Sequence, residues 1–289
     1  MTTLILGVAG NLGSQLKIAY ADSDVIGWDR VDFDFLDFDL LKQKLLKLKP
    51  GQIINAVAYN AVDKCEEDEK EANLAWKLNR DLPGVLADYC LQAQIPLLHY
   101  STDYVFGGDG RLAGAYVETD QPQPLNIYGQ TKLAGEQEIA RRALLGLKYY
   151  IVRTSKLFGP LGKSEHAKAS FFDLMLKLSA DKEELKVVDA EISCFTYTPD
   201  LAQASKLLLD EKAVRGIYHL TNSGAVTWYQ ALQYFFDIAQ IKTQLSAISA
   251  DAWPRPAKRP VYSALANTRR PQLRSWQEAL TDYWHNKNK

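Results

Sequence analysis

Cysteine is scarce in this chain: Cys65, Cys90 and Cys194 stand far apart and without CxxC spacing. A disulfide framework and a cysteine-ligated zinc site are therefore both excluded as expectations. The four histidines, His99, His166, His219 and His285, are scattered without metal-ligand spacing, so no metal is expected. An excess of charge of one sign is missing too, since 34 Lys and Arg face 35 Asp and Glu, for a formal charge of -1. A polyanion meets no electrostatic footprint, and nucleic acid is not an expected partner. There is no span of roughly 18 apolar residues, and MTTLILGVAG enters a short apolar run without a basic leader or small-residue cleavage site. The expectation is a cytoplasmic protein with reduced thiols and no membrane partner. Internal repeats, low-complexity tracts and long flexible linkers are absent as well.

What is present is alternation. TLILGV, DVIGW, GQIINAVA, IPLLHYS and YYIVRT read as strands, each followed by charged, periodic sequence. DLLKQKLLKLK has helical spacing and stops at Pro50; a longer helix is expected from about Asp68 to Gln94, interrupted near Pro83. Such alternation implies βαβ units, hence an α/β fold of Rossmann type with a doubly wound parallel sheet. After Gly159-Pro160 the style changes. Residues 161–185 read as helical and polar, KVVDAE as a strand, TYTPDLAQASKLLLDE as a helix, and GIYHL with WYQALQYFFDIAQ as a further strand and helix. The expected organisation is a dinucleotide-binding domain over 1–158, to which 184–213 returns. A smaller C-terminal α+β lobe over 159–183 and 214–289 is expected to bind substrate, with NKNK as a solvated end.

Directly after the first strand comes Gly7-Val8-Ala9-Gly10-Asn11-Leu12-Gly13, opening a helical stretch. Backbone N–H groups in such a turn, together with the helix dipole, meet a pyrophosphate. The spacing is GxxGxxG instead of GxGxxG, and Asp29 follows at the end of the second strand, about 20 residues on, where an acidic side chain accepts from the adenosine ribose. Asp29 favours NADH, whereas Arg30 would receive the 2′-phosphate of NADPH, so either cofactor is open. Ser101-Thr102-Asp103-Tyr104 sits at the C-terminal end of a strand, and Asn126-Ile127-Tyr128-Gly129-Gln130-Thr131-Lys132 opens a helix. Four residues apart, Tyr128 and Lys132 share a helix face, where the ammonium is expected to lie beside the phenol and lower its pKa for general acid work. Thr102 offers a neutral hydroxyl to a substrate carbonyl. Glycine loop, strand-end Thr and YxxxK helix in this order imply a nicotinamide-dependent oxidoreductase.

These residues resemble the extended short-chain dehydrogenase/reductase superfamily and, within it, the dTDP-4-dehydrorhamnose reductases. NAVAYNAVDKCEED, HYSTDYVFGG, ETDQPQPLNIYGQTKLAGE, RTSKLFG, TYTPDLA, GIYHLTNSG and AKRPVYSAL match family stretches in order, so the resemblance covers nearly the whole chain. It implies reduction of the C4 ketone of dTDP-4-dehydro-L-rhamnose with NADPH or NADH, in nucleotide-sugar biosynthesis for surface polysaccharide. It implies a catalytic set of Thr102, Tyr128 and Lys132. Gly7, Gly10, Asn11, Leu12, Asp29, Asp34, Phe35, Val57, Ala58 and Tyr59 would hold the cofactor, joined by Gly13 and Arg30 of the same two segments. Thr102, Asp103 and Tyr104 would touch the nucleotide sugar, with a second copy of the chain as the protein partner to allow for. Two departures stand out: Lys156 replaces the family's usual Trp in RTSW, and Ser193-Cys194-Phe195 replaces the usual Gly-x-Pro before TYT. Lys156 reads either as a surface lysine or as the partner of a phosphate or acidic group on a different substrate. Arg259 is the candidate for gripping the nucleotide diphosphate. A reductase of another nucleotide-linked keto-deoxysugar, or a non-catalytic dinucleotide-binding regulatory subunit, are the alternatives.

Overall fold

The computed structural model describes residues 1–165 and 167–287, so His166 and the last two residues of NKNK lie outside the described residues. Strand β1 (Thr3–Leu6) runs into helix α1 (Asn11–Ala19), followed by β2 (Val25–Trp28), α2 (Phe38–Leu48) and β3 (Gln52–Asn55). Helices α3 (Lys64–Glu67) and α4 (Glu69–Trp76) lead through a π-helical turn at Lys77–Asp81 into α5 (Leu82–Ala93). The expected break near Pro83 is this turn: helical backbone continues through it from α4 into α5, with the Leu82 N–H donating to the Lys77 carbonyl, and the wider turn just before Pro83 makes room for a residue that has no N–H to give. Then come β4 (Leu97–Thr102), α6 (Ile127–Ala143) and β5 (Tyr149–Thr154).

These strands form a parallel sheet in the order β2-β1-β3-β4-β5, closed at its far edge by Gly216–His219. Both faces are covered, which is why the strands read as near-continuous apolar runs. Side chains alternate across the sheet: Leu4 and Leu6 pack with Leu41, Leu86 and Ile139 of α2, α5 and α6, while Ile5 packs with Leu16 of α1 on the opposite face. Strand order reverses between β1 and β3, so a crevice opens there at the C-terminal ends of the strands.

The remainder of the chain departs from expectation in three places. After β6 (Leu157–Phe158), the described residues between 159 and 170 are not helical, and α7 covers only Phe171–Ser179, starting where Ser170 and Asp173 form a reciprocal capping box. Strand β7 (Glu184–Val188) does not return to the main sheet but pairs with β11 (Gln244–Ile248) in the lobe. Only α8 (Thr198–Asp210), entered through β8 (Thr196–Tyr197), crosses back, and its Leu201 and Leu208 pack with Leu16 of α1. Strand β9 (Gly216–His219), expected in the lobe, is instead the edge strand beside β5, with Tyr150 opposite Gly216. The lobe proper is built from β10 (Asn222–Ser223), α9 (Trp228–Ala239), β11, β12 (Leu273–Ser275) and α10 (Trp276–Lys287), together with α7 and β7. Its aromatic core includes Phe172, Phe195, Phe235 and Trp276.

Candidate active site

The glycine loop fills the crevice beside β1. Gly7 has φ +78, a left-handed conformation open to glycine at little cost, and a Cβ there would meet the Ala56 carbonyl carbon at 3.1 Å. At Gly13 an added Cβ would lie 2.0 Å from the Gly7 carbonyl oxygen. Helix α1 therefore starts against the loop itself. Its N-cap, Gly10, brings no side-chain cap, and its first turn holds no acidic residue. An uncapped helix N-terminus behind a glycine turn fits the pyrophosphate of a dinucleotide.

Several expected cofactor residues reach this place with their side chains already engaged. Asp29 is buried, and its carboxylate accepts from the Ala9 N–H at 2.9 Å and the Arg30 N–H at 2.8 Å, so it clips the loop to the end of β2. Arg30 and Asp34 are exposed. The Leu12 and Phe35 side chains lie in the two core clusters, which leaves their backbone alone for a ligand. Ala58 is exposed, Val57 is partly buried, and the Tyr59 hydroxyl donates to Glu71. Asn11 bridges to the segment after β6: its Oδ1 accepts from the Gly162 N–H at 2.9 Å, and its Nδ2 donates to the Lys168 carbonyl at 2.8 Å.

Strand β4 delivers the first of the expected catalytic residues. Thr102 at its C-terminus is opposite Thr154 on β5. Asn126 caps α6 by accepting from the Gly129 N–H at 2.8 Å and ties that helix start to the Lys258 carbonyl at 2.9 Å. The cap brings Tyr128 to Thr102. Burial pushes the Tyr128 phenol up to about 12; the nearby Thr102 hydroxyl pulls the other way, and Asp103 adds to the rise. Tyr104 stands edge-on to Tyr128, with centroids 5.9 Å apart.

Lys132 corrects the sequence expectation. Its ammonium does not lie on the phenol: Nζ is buried, donates to the Tyr100 carbonyl at 2.6 Å, and lies 3.2 Å from Nε2 of His99. A helix face shared at i and i+4 sets proximity, but the inward lean of the side chain onto β4 decides what the ammonium meets. Burial lowers the Lys132 amine to about 8, with Glu136 opposing. His99, held on its other side by Asn55 at 3.0 Å, is pushed below its usual range by burial and by Lys132.

Asp103 is buried beside this pair. It accepts from Ser263 at 2.6 Å and from Thr102 at 3.2 Å, and burial raises its pKa. Arg259 is not free for a diphosphate as expected, because Asp63 grips it at 2.5 and 2.7 Å. Lys156 is not a surface lysine. It is half-buried with φ +35, and its Nζ lies 3.8 Å from the Trp228 ring centroid. Sequence reasoning missed Glu191 and Arg255, which pair with each other, and Ser263. It also missed the buried Glu136–Arg153 pair at 2.6 Å, although Glu136 follows Lys132 by one helical turn. Among the described residues no group of three or more His, Cys, Asp or Glu side chains could hold a metal, and no helix is long and apolar enough to cross a membrane.

Comparison with known proteins places this geometry among relatives. The family model described as the RmlD substrate binding domain matches residues 1–288. A dTDP-4-dehydrorhamnose reductase of Escherichia coli (strain K12) is 33% identical over 298 residues, covering 96% of this chain and 95% of that protein. A probable dTDP-4,6-dihydroxy-2-methyloxan-3-one 4-ketoreductase of Streptomyces antibioticus is 33% identical, covering 98% and 94%. Among solved structures, the dTDP-4-dehydrorhamnose reductase of Bacillus anthracis in complex with NADP superposes with a TM-score of 0.89 at 32% identity, covering 99% of each chain.

Proposed function

This chain belongs to the RmlD substrate binding domain family, and on that premise we propose that it reduces the C4 ketone of dTDP-4-dehydro-L-rhamnose to give dTDP-L-rhamnose. The observation that carries the reading is the placement of Thr102, at the end of β4, near Tyr128, in the first turn of α6, at the same edge of the sheet as the glycine loop. The names of the E. coli and B. anthracis relatives support the sugar and the dinucleotide.

A bound NADPH or NADH supplies the hydride that the C4 carbonyl carbon accepts. The Gly7, Gly10 and Gly13 turn and the start of α1 would hold its pyrophosphate, with Val57, Ala58 and Tyr59 lining the next strand end. Tyr128 donates its proton to the carbonyl oxygen as negative charge develops there. Thr102 donates a hydrogen bond to the same oxygen and fixes its distance from the phenol. Asp103, held by Ser263, accepts from the Thr102 hydroxyl in the free chain, and that single hydrogen turns from Asp103 to the carbonyl oxygen when substrate arrives. Lys132 keeps a positive charge behind Tyr128, anchored by the Tyr100 carbonyl. Three free, buried thiols suit a reducing compartment, and we place the reaction in the cytoplasm.

The test follows absorbance of NADPH and of NADH after addition of dTDP-4-dehydro-L-rhamnose, with the product identified by mass and stereochemistry. Loss of absorbance with formation of dTDP-L-rhamnose is the expected result. A signal that stays stable with both cofactors overturns the reading. Lys156 beside the reacting pair, together with the Streptomyces relative, favours one second reading: the same reduction on another dTDP-linked keto-deoxysugar. Turnover of that sugar in preference to the rhamnose precursor would establish it.

A further inference from the structure

Four segments far apart in sequence, carrying Lys156, Glu191, Trp228 and Arg255, meet near Asp103, the residue that follows Thr102. Lys156 lies two residues beyond Thr154, which is the register partner of Thr102. Its backbone is in the left-handed region at φ +35, a conformation costly for a side chain with a Cβ and concentrated at functional sites. The ammonium rests over Trp228 at 3.8 Å and near Phe195 at 5.2 Å, so cation–π attraction fixes it. Glu191 is buried and is taken by others: its carboxylate accepts from Arg255 and from Trp228 Nε1 at 3.1 Å. Lys156 gets from it only a long contact, with Nζ donating to the Glu191 backbone carbonyl at 3.4 Å. An ammonium carries three donors, and among the described residues no carboxylate lies within ion-pairing distance of this one. A partly desolvated cation is thus held in place with donors left over, on the Asp103 side of the reacting pair.

We propose that Lys156 is the specificity-determining residue of the sugar site, donating to an oxygen of the keto sugar itself and so selecting a dTDP-linked ketose that presents a hydrogen-bond acceptor on that face. The assignment rests on the reading of the chain as a nucleotide-ketosugar reductase. Trp228 and Glu191 hold the lysine from behind, and Arg255 neutralises Glu191 so that the carboxylate does not capture the ammonium. Asp103, Glu191, Cys194 and Arg255 are the titratable and charged groups that face it; burial dominates and lowers the amine to about 7, against the pull of Asp103 and Glu191. The donor is therefore half charged near pH 7, almost fully charged below about pH 6 and almost neutral above about pH 8.

The experiment compares the native chain with Lys156→Met and Lys156→Arg. The readouts are KM and kcat for the dTDP-ketosugar and inhibition by dTDP, which keeps the diphosphate and lacks the sugar. In Lys156→Met, KM for the ketosugar is expected to rise about tenfold to a hundredfold, more than kcat changes, as for the loss of a charge-assisted hydrogen bond. Inhibition by dTDP should stay within about twofold of native. KM of the native chain should rise between about pH 6 and pH 8, and that rise should be absent in Lys156→Arg, whose guanidinium stays charged. Weakened dTDP inhibition in Lys156→Met would move the contact to the diphosphate and overturn the assignment. So would an unchanged KM in a folded variant of a chain that does turn over. Absence of turnover in the native chain overturns the underlying reading and the assignment with it.

Discussion

The two walls of the site are made of different material. On the side of β1 and β3, the wall is backbone: a left-handed glycine at Gly7, a helix start packed on its carbonyl at Gly13, and the strand-end residues 57–59. On the lobe side the wall is side chains from four separated segments, Lys156, Glu191, Trp228 and Arg255, held to one another by charge and ring contacts. A backbone wall is fixed by sterics and accepts almost no substitution, whereas a wall of paired side chains can be rebuilt one pair at a time. Under the proposed function, the difference would give cofactor binding to the fixed geometry of the sheet edge and sugar choice to the lobe, with Tyr128 and Thr102 between them.

The largest test of that division removes the proton and keeps both walls. Tyr128→Phe should lower kcat by about 10² to 10⁴, the range of a lost general acid, while fluorescence titration finds NADPH affinity within about twofold of native. Turnover near the native rate would take the phenol out of the chemistry. Next in size is the buried pair that supports both walls from behind, Glu136 on α6 and Arg153 on β5. Arg153 donates to Glu136 at 2.6 and 2.9 Å, with both side chains almost fully buried. Breaking such a pair leaves an uncompensated buried charge, so Glu136→Gln should cost about 3–5 kcal/mol in denaturant unfolding. A loss under about 1 kcal/mol would show that water or relaxation satisfies Arg153.

A smaller effect separates the walls by pH. Lys132 is held at about 8 in the folded chain by burial, against 10.5 for a free lysine. Between those values the unfolded chain binds the extra proton and the folded chain does not, so this group adds stability as pH rises from about 8 to 10.5. Below about 8 the folded chain bears the full cost of the buried ammonium. The stability of the native chain relative to Lys132→Met should therefore grow between about pH 7.5 and pH 9.5, by at most roughly 1.4 kcal/mol per pH unit. A pH-independent difference would mean that the Tyr100 carbonyl and Glu136 fully offset the burial.

Most of the backbone wall was legible in the sequence, because its signals are local. Strands buried on both faces read as apolar runs, the glycine turn follows the first of them directly, and Tyr128 with Lys132 sits at the start of a capped helix. The lobe wall was not legible. Glu191 and Arg255 look like solvated loop charges until the fold brings them together across 64 residues. GIYHL reads as a strand but carries no address, so its place beside β5 could not be told from a place in the lobe. Residues 161–185 have helical polar periodicity, yet the capping box that starts α7 is made by Ser170 and Asp173, and the helix begins there. Lys132 shows the limit of spacing arguments: sharing a face with Tyr128 was correct, and the contact nevertheless went to the Tyr100 carbonyl.

The smallest expected effect tests whether the two walls are mechanically joined. Residues 160–165, which leave the sheet toward the lobe, lie against the glycine loop: the Ser164 N–H donates to the Ala9 carbonyl at 2.9 Å, and the Gly162 N–H to Asn11. At Gly162 an added Cβ would stand 2.5 Å from the Ala9 carbonyl oxygen and from the Gly10 carbonyl carbon. Both are backbone atoms and cannot rotate away, so the segment must lift from the loop. Because it is a partly exposed connection, lifting is cheap in stability, and Gly162→Ala should cost about 1 kcal/mol or less in unfolding. If the segment braces the loop in its ligand-ready shape, NADPH affinity should fall about threefold to tenfold in the same variant, with KM for the ketosugar rising only at subsaturating cofactor. Native affinity for NADPH in Gly162→Ala would mean that the backbone wall stands without help from the lobe side, and that the two walls meet only at Tyr128.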